Sequence, residues 1–132
     1  MIYGIGTDIV RVSRMQSSLQ RFGDAFAHRI LTPMELDEFR GDKRPAQFLA
    51  KRFAAKEALV KAMGTGFRDG VKLSDIGVSH NPAGRPSLNC SGRTETLLRE
   101  MGVAESHLSL ADEQEYAVAF VILLLGTPGS IA

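Results

Sequence analysis

The longest helical pattern of this sequence begins at Pro45 or Ala46, reaches Met63 and is followed by Gly64, a typical C-terminal cap. Alanine recurs along the pattern, which gives it high helix propensity and a narrow profile that other elements can approach closely. These alanines are Ala46, Ala50, Ala54, Ala55, Ala58 and Ala62. The predicted core stripe consists of Phe48, Ala55, Leu59 and Ala62. We therefore expect one long helix that packs closely against the core.

A strand is predicted over residues 2–10, where β-branched residues recur and successive side chains point to opposite faces. One of these faces carries Gly4, Gly6 and Asp8. Glycines inside a strand weaken it unless another backbone has to pass close by, so they predict such an approach. Asp8 is the single charge of the strand and lies beside these bare positions, which marks it as a candidate functional residue.

The remaining patterns predict short helices and antiparallel hairpins. Thr32-Pro33-Met34-Glu35 is a capping box with proline at the first helical position, a strong helix start. Helices are predicted at residues 12–22, 24–30, 33–39 and 94–101, and extended segments at 71–72, 76–80, 86–90, 107–110 and 116–124. Strands joined by tight turns are antiparallel, so the fold class is α+β, an antiparallel sheet with a long packed helix and shorter helices. We expect a single domain over residues 1–126 and a flexible C-terminal tail at 127–132.

Composition excludes several classes of protein. The 132 residues carry 16 Lys and Arg against 15 Asp and Glu, a formal charge of +1, which argues against a generally polycationic nucleic-acid binder. The most apolar run, residues 117–125, is shorter than the roughly 20 residues of a membrane-spanning helix, so we expect a buried strand there. Cys90 is the single cysteine, which excludes an internal disulfide and favours a reducing cytoplasm. We interpret Cys90 as a small core or strand residue rather than a nucleophile.

Charge is unevenly distributed along the chain. Residues 40–61 contain seven cations against two acids, a net charge of +5. Within this segment Glu57 and Lys61 share a helix face, and the ordinary interpretation is a surface ion pair worth about 0.3–0.5 kcal/mol. The excess of cations instead favours a surface that faces phosphates. A lone carboxylate among such cations suggests Mg²⁺, which often binds one or two carboxylates plus phosphate oxygens, and Asp8 is the candidate second ligand.

Two further motifs keep alternative interpretations open. Gly64-Thr65-Gly66 is either a helix cap with its loop or a set of backbone N–H groups that cradles a phosphate. His107 precedes an acidic turn, where it either supports the structure or accepts a proton near neutral pH. The residues alone do not choose between these alternatives.

Several motifs taken together resemble one known family. They are Gly4-Ile-Gly-Thr-Asp8-Ile-Val10, Arg52-Phe-Ala-Ala-Lys-Glu57-Ala-Leu-Val-Lys61-Ala and Gly64-Thr-Gly66. In this order and spacing they closely resemble the holo-[acyl-carrier-protein] synthases, the small AcpS-type 4′-phosphopantetheinyl transferases. The resemblance extends over nearly the whole chain through Asn81-x-x-Gly84-Arg85-Pro86, His107-Leu-Ser-Leu and Glu115-Tyr-Ala.

The resemblance implies a 4′-phosphopantetheinyl transferase fold and a Mg²⁺-dependent reaction of fatty acid biosynthesis. In this reaction phosphopantetheine passes from coenzyme A to a serine of apo acyl carrier protein, and adenosine 3′,5′-bisphosphate is released. It implies that Asp8 and Glu57 hold the metal. The residues that match coenzyme-binding positions are Asp8, Arg52, Glu57, Lys61, Gly64, Thr65, Gly66, Gly84, Arg85, Pro86 and His107. The matching catalytic candidates are Glu57, Lys61 and His107.

The resemblance also implies a homotrimer with sites between subunits, to which one chain contributes residues 84–86 and His107. Carrier docking is expected on the basic first helix, through Arg11, Arg14 and Arg21. The base that deprotonates the serine stays open among Glu57, a water on the metal and His107. Asp112 stands where many relatives carry a second histidine, so a mechanism that requires that histidine is doubtful here.

Two other classes of function remain to be distinguished. A non-catalytic protein that binds coenzyme A or a carrier would keep the basic helices but would not need Asp8 and Glu57 together. A metal-dependent phosphoesterase would release its product without an acceptor protein. The transferase is the function that we expect.

Overall fold

Two antiparallel sheets and five α-helices make up the part of the chain that the computed structural model describes, residues 1–127. The predicted tail lies outside these residues except for its first position. In chain order the elements are β1 Ile2–Arg11, α1 Val12–Phe22, α2 Asp24–Ile30, α3 Pro33–Arg40, α4 Pro45–Met63, a 3₁₀ turn Leu73–Asp75, β2 Ile76–His80, β3 Pro86–Cys90, α5 Gly92–Glu100, β4 Val103–Asp112 and β5 Tyr116–Leu125. The predicted α+β class is confirmed.

The larger sheet has the strand order β1–β5–β4 and presents two different faces. Its inner face packs against α4 and buries the alternate residues Ala117, Ala119, Val121 and Leu123 of β5. Its outer face is apolar but exposed, with Ile5 at 58% and Ile9 at 62% exposure on β1 and Phe120 at 40% on β5. The smaller sheet is the hairpin of β2 and β3. One apolar face of the larger sheet is therefore uncovered in the single chain.

The glycines of β1 allow α4 to lie directly on the strand. A Cβ atom on Gly4 would overlap the carbonyl oxygen of Ala62, and one on Gly6 would overlap that of Ala58. The close approach of another backbone that these glycines predicted is confirmed. Because α4 lies so near, the last turns of the helix come beside Asp8, the next inward-facing residue of β1.

Two cations of α4 point into the core rather than toward solvent. The Lys56 ammonium is fully buried and donates to Glu35 Oε1 at 2.6 Å and to the carbonyl oxygen of Ile30 at 2.5 Å. Arg52 is 5% exposed and donates to the carbonyl oxygen of Val78 at 2.6 Å and to Glu38 at 3.1 Å. The expected cationic surface along α4 is therefore wrong at these two positions, because their acidic partners come from α3.

Three elements differ from the expectation by more than one residue. β4 begins at Val103 rather than at residue 107, because its pairing with β5 continues to Leu125 through polar edge-strand residues that show no apolar alternation. α5 begins at Gly92, and residues 71–72 are not part of a strand. The apolar run forms most of β5, and no helix among residues 1–127 is long and apolar enough to cross a membrane.

Candidate active site

Asp8 and Lys61 meet where β1 crosses the C-terminal half of α4. The Lys61 ammonium donates to Asp8 Oδ1 at 3.0 Å and to the carbonyl oxygen of Thr7 at 3.1 Å. The Asp8 side chain is 15% exposed and that of Lys61 is 54% exposed. The lysine thus reaches the surface while its partner stays largely enclosed, so Lys61 can contact a ligand that approaches from solvent.

Glu57 lies one helical turn before Lys61 and faces the same junction. Burial raises the pKa of Glu57 above its ordinary value, and the negative charge of Asp8 raises it further, whereas Lys61 and Arg14 lower it. The two carboxylates therefore repel each other in the absence of a cation. Sequence spacing placed Glu57 and Lys61 on one face, and the structure adds Asp8 and Arg14 to this cluster.

This pair of carboxylates suits Mg²⁺. A divalent cation beside Asp8 and Glu57 would relieve the repulsion that raises the pKa of Glu57. Within residues 1–127, no group of three His, Cys, Asp or Glu side chains could hold a metal ion. The remaining ligands would therefore come from water and from a phosphorylated ligand, which is the common mode of Mg²⁺ binding.

The segment Gly64 to Gly66 continues directly from the last turn of α4. Gly64 is the left-handed C-cap of the helix, with a φ of 78°, and its N–H donates to the carbonyl oxygens of Val60 and Lys61. The cap interpretation of this glycine is confirmed. Thr65 and Gly66 follow directly, so the loop begins beside the turn of α4 that carries Lys61.

His107 lies far from this cluster within one chain. Its side chain points to the outer face of β4, opposite Ile122, and its Nε2 atom lies 3.1 Å from Glu105 Oε2. Asp8 lies on the inner face of β1, and β5 separates β1 from β4. Strands in a sheet lie about 4.8 Å apart, so the two side chains are separated by two strand spacings and by the sheet itself.

The hairpin residues and Asp112 also lie outside the cluster. Gly84, Arg85 and Pro86 stand where the β2–β3 turn ends and β3 begins; Gly84 has a φ of 88°, and the Arg85 N–H donates to Asn81 Oδ1 at 2.8 Å. Asp112 ends β4 opposite Ala117. One chain thus brings together Asp8, Glu57, Lys61 and the loop that follows them, but not His107 or the hairpin.

Arg52 differs from the other predicted coenzyme ligands. Its guanidinium is buried, hydrogen-bonded to α3 and β2 and stacked over the Phe48 ring at 4.5 Å. These contacts favour a structural role, although Arg52 also lines a surface cavity with Lys51 and His80. The sequence signal that could have shown this is the capping box, which places Glu35 and Glu38 on a neighbouring helix.

The three arginines expected to dock a carrier are exposed but differ in their contacts. Contrary to the expectation, Arg11 is the last residue of β1 and not part of the first helix, and it donates to the Tyr116 hydroxyl at 3.1 Å. Arg21 lies on α1, 5.2 Å from the centroid of the Phe22 ring. Arg14 lies over Phe53 at 5.6 Å, and its charge lowers the pKa of Glu57. Arg14 therefore belongs to the acidic cluster as well as to α1, which sequence reasoning did not anticipate.

Cys90 has the structural role that the sequence suggested. It lies half-buried on β3, where burial raises the pKa of its thiol to about 11, with Glu95 and Asp75 adding to the effect. The thiolate is therefore scarce at neutral pH, and Cys90 is not an activated nucleophile.

The structure is that of an α+β protein in which an acidic pair and a lysine meet at a strand–helix crossing. Residues 4–121 match the model of the 4′-phosphopantetheinyl transferase superfamily. The match covers most of the chain, and the chain belongs to this family.

Individual relatives carry a more specific name. A holo-[acyl-carrier-protein] synthase of Halorhodospira halophila is 56% identical over 126 residues, which are 96% of this chain and 100% of the relative. One of Nitrosococcus oceani is 55% identical over 130 residues, 98% of this chain and 84% of the relative. These identities confirm the resemblance to the holo-[acyl-carrier-protein] synthases that the motifs indicated.

Solved structures agree with these relatives. The synthase of Neisseria meningitidis has a TM-score of 0.90 and 47% identity, covering 94% of this chain and 99% of that chain. The synthase of Bacillus anthracis, in complex with CoA (3′,5′-ADP), has a TM-score of 0.80 and 39% identity, covering 96% of this chain and 99% of that chain.

Proposed function

We propose that this protein is an enzyme that transfers the 4′-phosphopantetheine group of coenzyme A to a serine of apo acyl carrier protein and releases adenosine 3′,5′-bisphosphate. The observation that carries the proposal is the cluster of Asp8, Glu57 and Lys61 in a chain that matches holo-[acyl-carrier-protein] synthases over almost its whole length. Fatty acid biosynthesis as the pathway and the cytoplasm as the location stay predictions.

Mass spectrometry of an apo carrier protein after incubation with coenzyme A and Mg²⁺ tests this function. A carrier that gains the mass of one phosphopantetheine supports the transferase. Coenzyme A binding without any transfer would indicate a non-catalytic binding protein. Release of the bisphosphate without a carrier would indicate a phosphoesterase.

The arrangement suits phosphoryl-type transfer, which depends mainly on positioning and on neutralising phosphate oxygens. Asp8 and Glu57 would hold Mg²⁺, which neutralises pyrophosphate charge and makes the phosphorus more electrophilic when it is bound. Lys61, exposed and already held by Asp8, would donate to a phosphate oxygen of the coenzyme. The N–H groups of Thr65 and Gly66 follow the turn that carries Lys61 and would orient the same ligand.

The serine of the carrier must lose its hydroxyl proton as it attacks. Glu57 lies in the cluster itself and is one candidate acceptor, either directly or through a water. The alternative acceptor is the partner subunit's His107, since the chain's own His107 points away from the cluster. Both assignments leave Asp112 without a role as base.

A homotrimer would explain both the uncovered sheet face and the distant residues. The outer face pairs Ile5 with Ile122 and Ile9 with Val118 across β1 and β5, which makes a continuous apolar surface. His107 lies on this same face, at its β4 edge. Further copies of the chain packed there would bury the apolar side chains and carry His107 toward a neighbouring cluster.

The Phe120→Glu variant is expected to be monomeric and at least about tenfold less active, because a buried, unpaired carboxylate would disfavour the interface. Light scattering coupled to gel filtration measures the mass of the oligomer. The control variant is Met34→Glu, which places the same charge on α3, where Met34 is 71% exposed. A monomeric wild-type protein, or a Phe120→Glu variant that still forms trimers, would rule out this interface.

Carrier docking is best tested at Arg21, because Arg14 also acts on Glu57. Arg21→Glu is expected to raise the KM for the carrier about tenfold at low salt with unchanged KM for coenzyme A, since it reverses one charge facing an acidic partner. Steady-state kinetics measure both constants, and Arg99→Glu on α5 is the control. Equal carrier KM values for the two variants would contradict docking on α1.

A further inference from the structure

The loop of residues 64–72 connects α4 to the 3₁₀ turn and begins at the candidate active site. It contains a tight turn in which the Val71 N–H donates to the carbonyl oxygen of Arg68 at 3.1 Å. The central residues of this turn, Asp69 and Gly70, have φ angles of 58° and 87°. Positive φ at both positions is the geometry of a type I′ turn, for which Asp-Gly is a preferred sequence. Val71, 4% exposed, anchors the far end of the loop in the core.

Arg93, in the first turn of α5, holds this turn from outside the loop. Its Nε atom donates to the carbonyl oxygen of Asp69 at 3.1 Å. A Cβ atom on Gly70 would lie 3.0 Å from Arg93 Cγ, so the stem of the arginine packs tightly on the glycine. Within α5, Arg93 Nη1 lies 3.6 Å from Glu100 Oε1, and this ion pair restrains the orientation of the guanidinium.

A second arginine connects the turn to the beginning of the loop. Arg68, the first residue of the turn, donates from its Nε atom to the carbonyl oxygen of Thr65 at 3.0 Å. The contacts therefore run without a break from Arg93 through Asp69 and Arg68 to Thr65, which follows the C-cap of the helix that carries Lys61. No catalytic group takes part in these contacts.

We propose that Arg93 is a positioning residue that orders the coenzyme-binding loop before the coenzyme arrives. This inference rests on the proposed function, in which Thr65 and Gly66 border the phosphates of coenzyme A. A loop that is already ordered loses less conformational entropy when its ligand binds, so Arg93 increases affinity without touching the ligand. The effect is expected on coenzyme binding and not on the chemical step.

The test compares Arg93→Ala with Arg99→Ala. Arg99 lies on the same helix, is 70% exposed and pairs with Glu95 at 3.7 Å. Among residues 1–127 its side chain has no hydrogen bond or ion pair to the loop, so its replacement is a matched control. Arg93 is itself 44% exposed, so its replacement leaves the core intact. Gly70→Ala is a second variant that disturbs the same contact from the loop side, through its crowded Cβ and its positive φ.

For Arg93→Ala we expect the KM and the calorimetric Kd for coenzyme A to rise about threefold to tenfold, because the bond that is lost is partly exposed and is comparable to an ordinary hydrogen bond. We expect kcat at saturating coenzyme A within about twofold of wild type and an unchanged KM for the carrier. Amide hydrogen exchange should accelerate in residues 65–70 and stay the same in β1 and β5. Arg93→Lys should recover part of the affinity.

Affinity for coenzyme A equal in Arg93→Ala and Arg99→Ala would overturn the inference, as would weaker binding with unchanged exchange in the loop. A loss of kcat at unchanged KM would overturn it as well. Failure of the wild-type protein to modify a carrier would contradict the proposed function instead. Calorimetry with coenzyme A still tests Arg93 in that case, and wild-type protein that does not bind coenzyme A would overturn both.

Discussion

The Glu57→Gln variant is expected to lose carrier modification by on the order of 10³-fold in kcat/KM. Glutamine keeps the size of the side chain but removes the charge that would hold Mg²⁺ beside Asp8. Asp8→Asn should have a similar effect and should also weaken the contact of Asp8 with the Lys61 ammonium. The measurement is the rate of mass gain of an apo carrier protein at saturating coenzyme A.

Loss of activity at Glu57 should not come from unfolding. The raised pKa of Glu57 means that the folded protein binds its proton more tightly than the unfolded chain does. The contribution of Glu57 to stability therefore falls as pH rises through this pKa, and at neutral pH the ionised group destabilises the ligand-free fold. Glu57→Gln should consequently melt at the same or a higher temperature than wild type in the absence of Mg²⁺.

A control variant shows whether the loss of activity is specific to the acids of the candidate site. Asp37→Asn removes one exposed acid of α3 and should leave both activity and melting unchanged. Wild-type activity in either Glu57→Gln or Asp8→Asn would contradict the metal assignment. A Glu57→Gln variant that melts well below wild type would contradict the repulsion inferred for the two carboxylates.

The Lys56→Ala variant is expected to be destabilised by about 3–5 kcal/mol, because it leaves Glu35 buried and without its main partner. Burial lowers the pKa of Lys56, and the adjacent Glu35 carboxylate opposes this shift. The lysine also donates to backbone oxygens of Ile30 and Leu73, so its loss removes a hydrogen-bond donor from three separate segments. A fall of more than about 10 °C in Tm is expected.

Replacing both partners tests whether the fold needs the Glu35–Lys56 ion pair itself or only side chains that fill the same volume. The double variant Glu35→Gln with Lys56→Met removes both charges and keeps a side-chain oxygen that can accept from the Val78 or Thr32 N–H group, so it should be less destabilised than Lys56→Ala. Lys51→Ala, on the same helix but only half-buried, is the control and should lose less than about 1 kcal/mol. Urea unfolding measures all these values, and equal stability of Lys51→Ala and Lys56→Ala would contradict the structural role.

Local signals were sufficient to predict most of the fold. The capping box, the glycine caps and the period of apolar residues placed the helices within a few positions, and Gly4 and Gly6 predicted the close contact with α4. The limits of β4 could not be predicted, because an edge strand with polar residues on an exposed face shows no apolar alternation.

The candidate site was predictable only in part. Glu57 and Lys61 share a face by spacing alone, whereas the burial of Arg52 and Lys56 depends on acids that lie many residues earlier on α3. Charge counted along a segment cannot show which cations point inward. The separation of His107 from Asp8 depends on the strand order β1–β5–β4, which local patterns do not contain.

That strand order has a consequence for mixtures of normal and altered chains. Asp8 and His107 lie on opposite faces of one sheet, so in the proposed trimer each chain would serve two sites, giving its acids to one and its histidine to the next. A chain altered at both Glu57 and His107 would then disable the sites on both of its sides. Such a subunit would interfere dominantly, and normal chains made in the same cell would restore activity less than in proportion to their number.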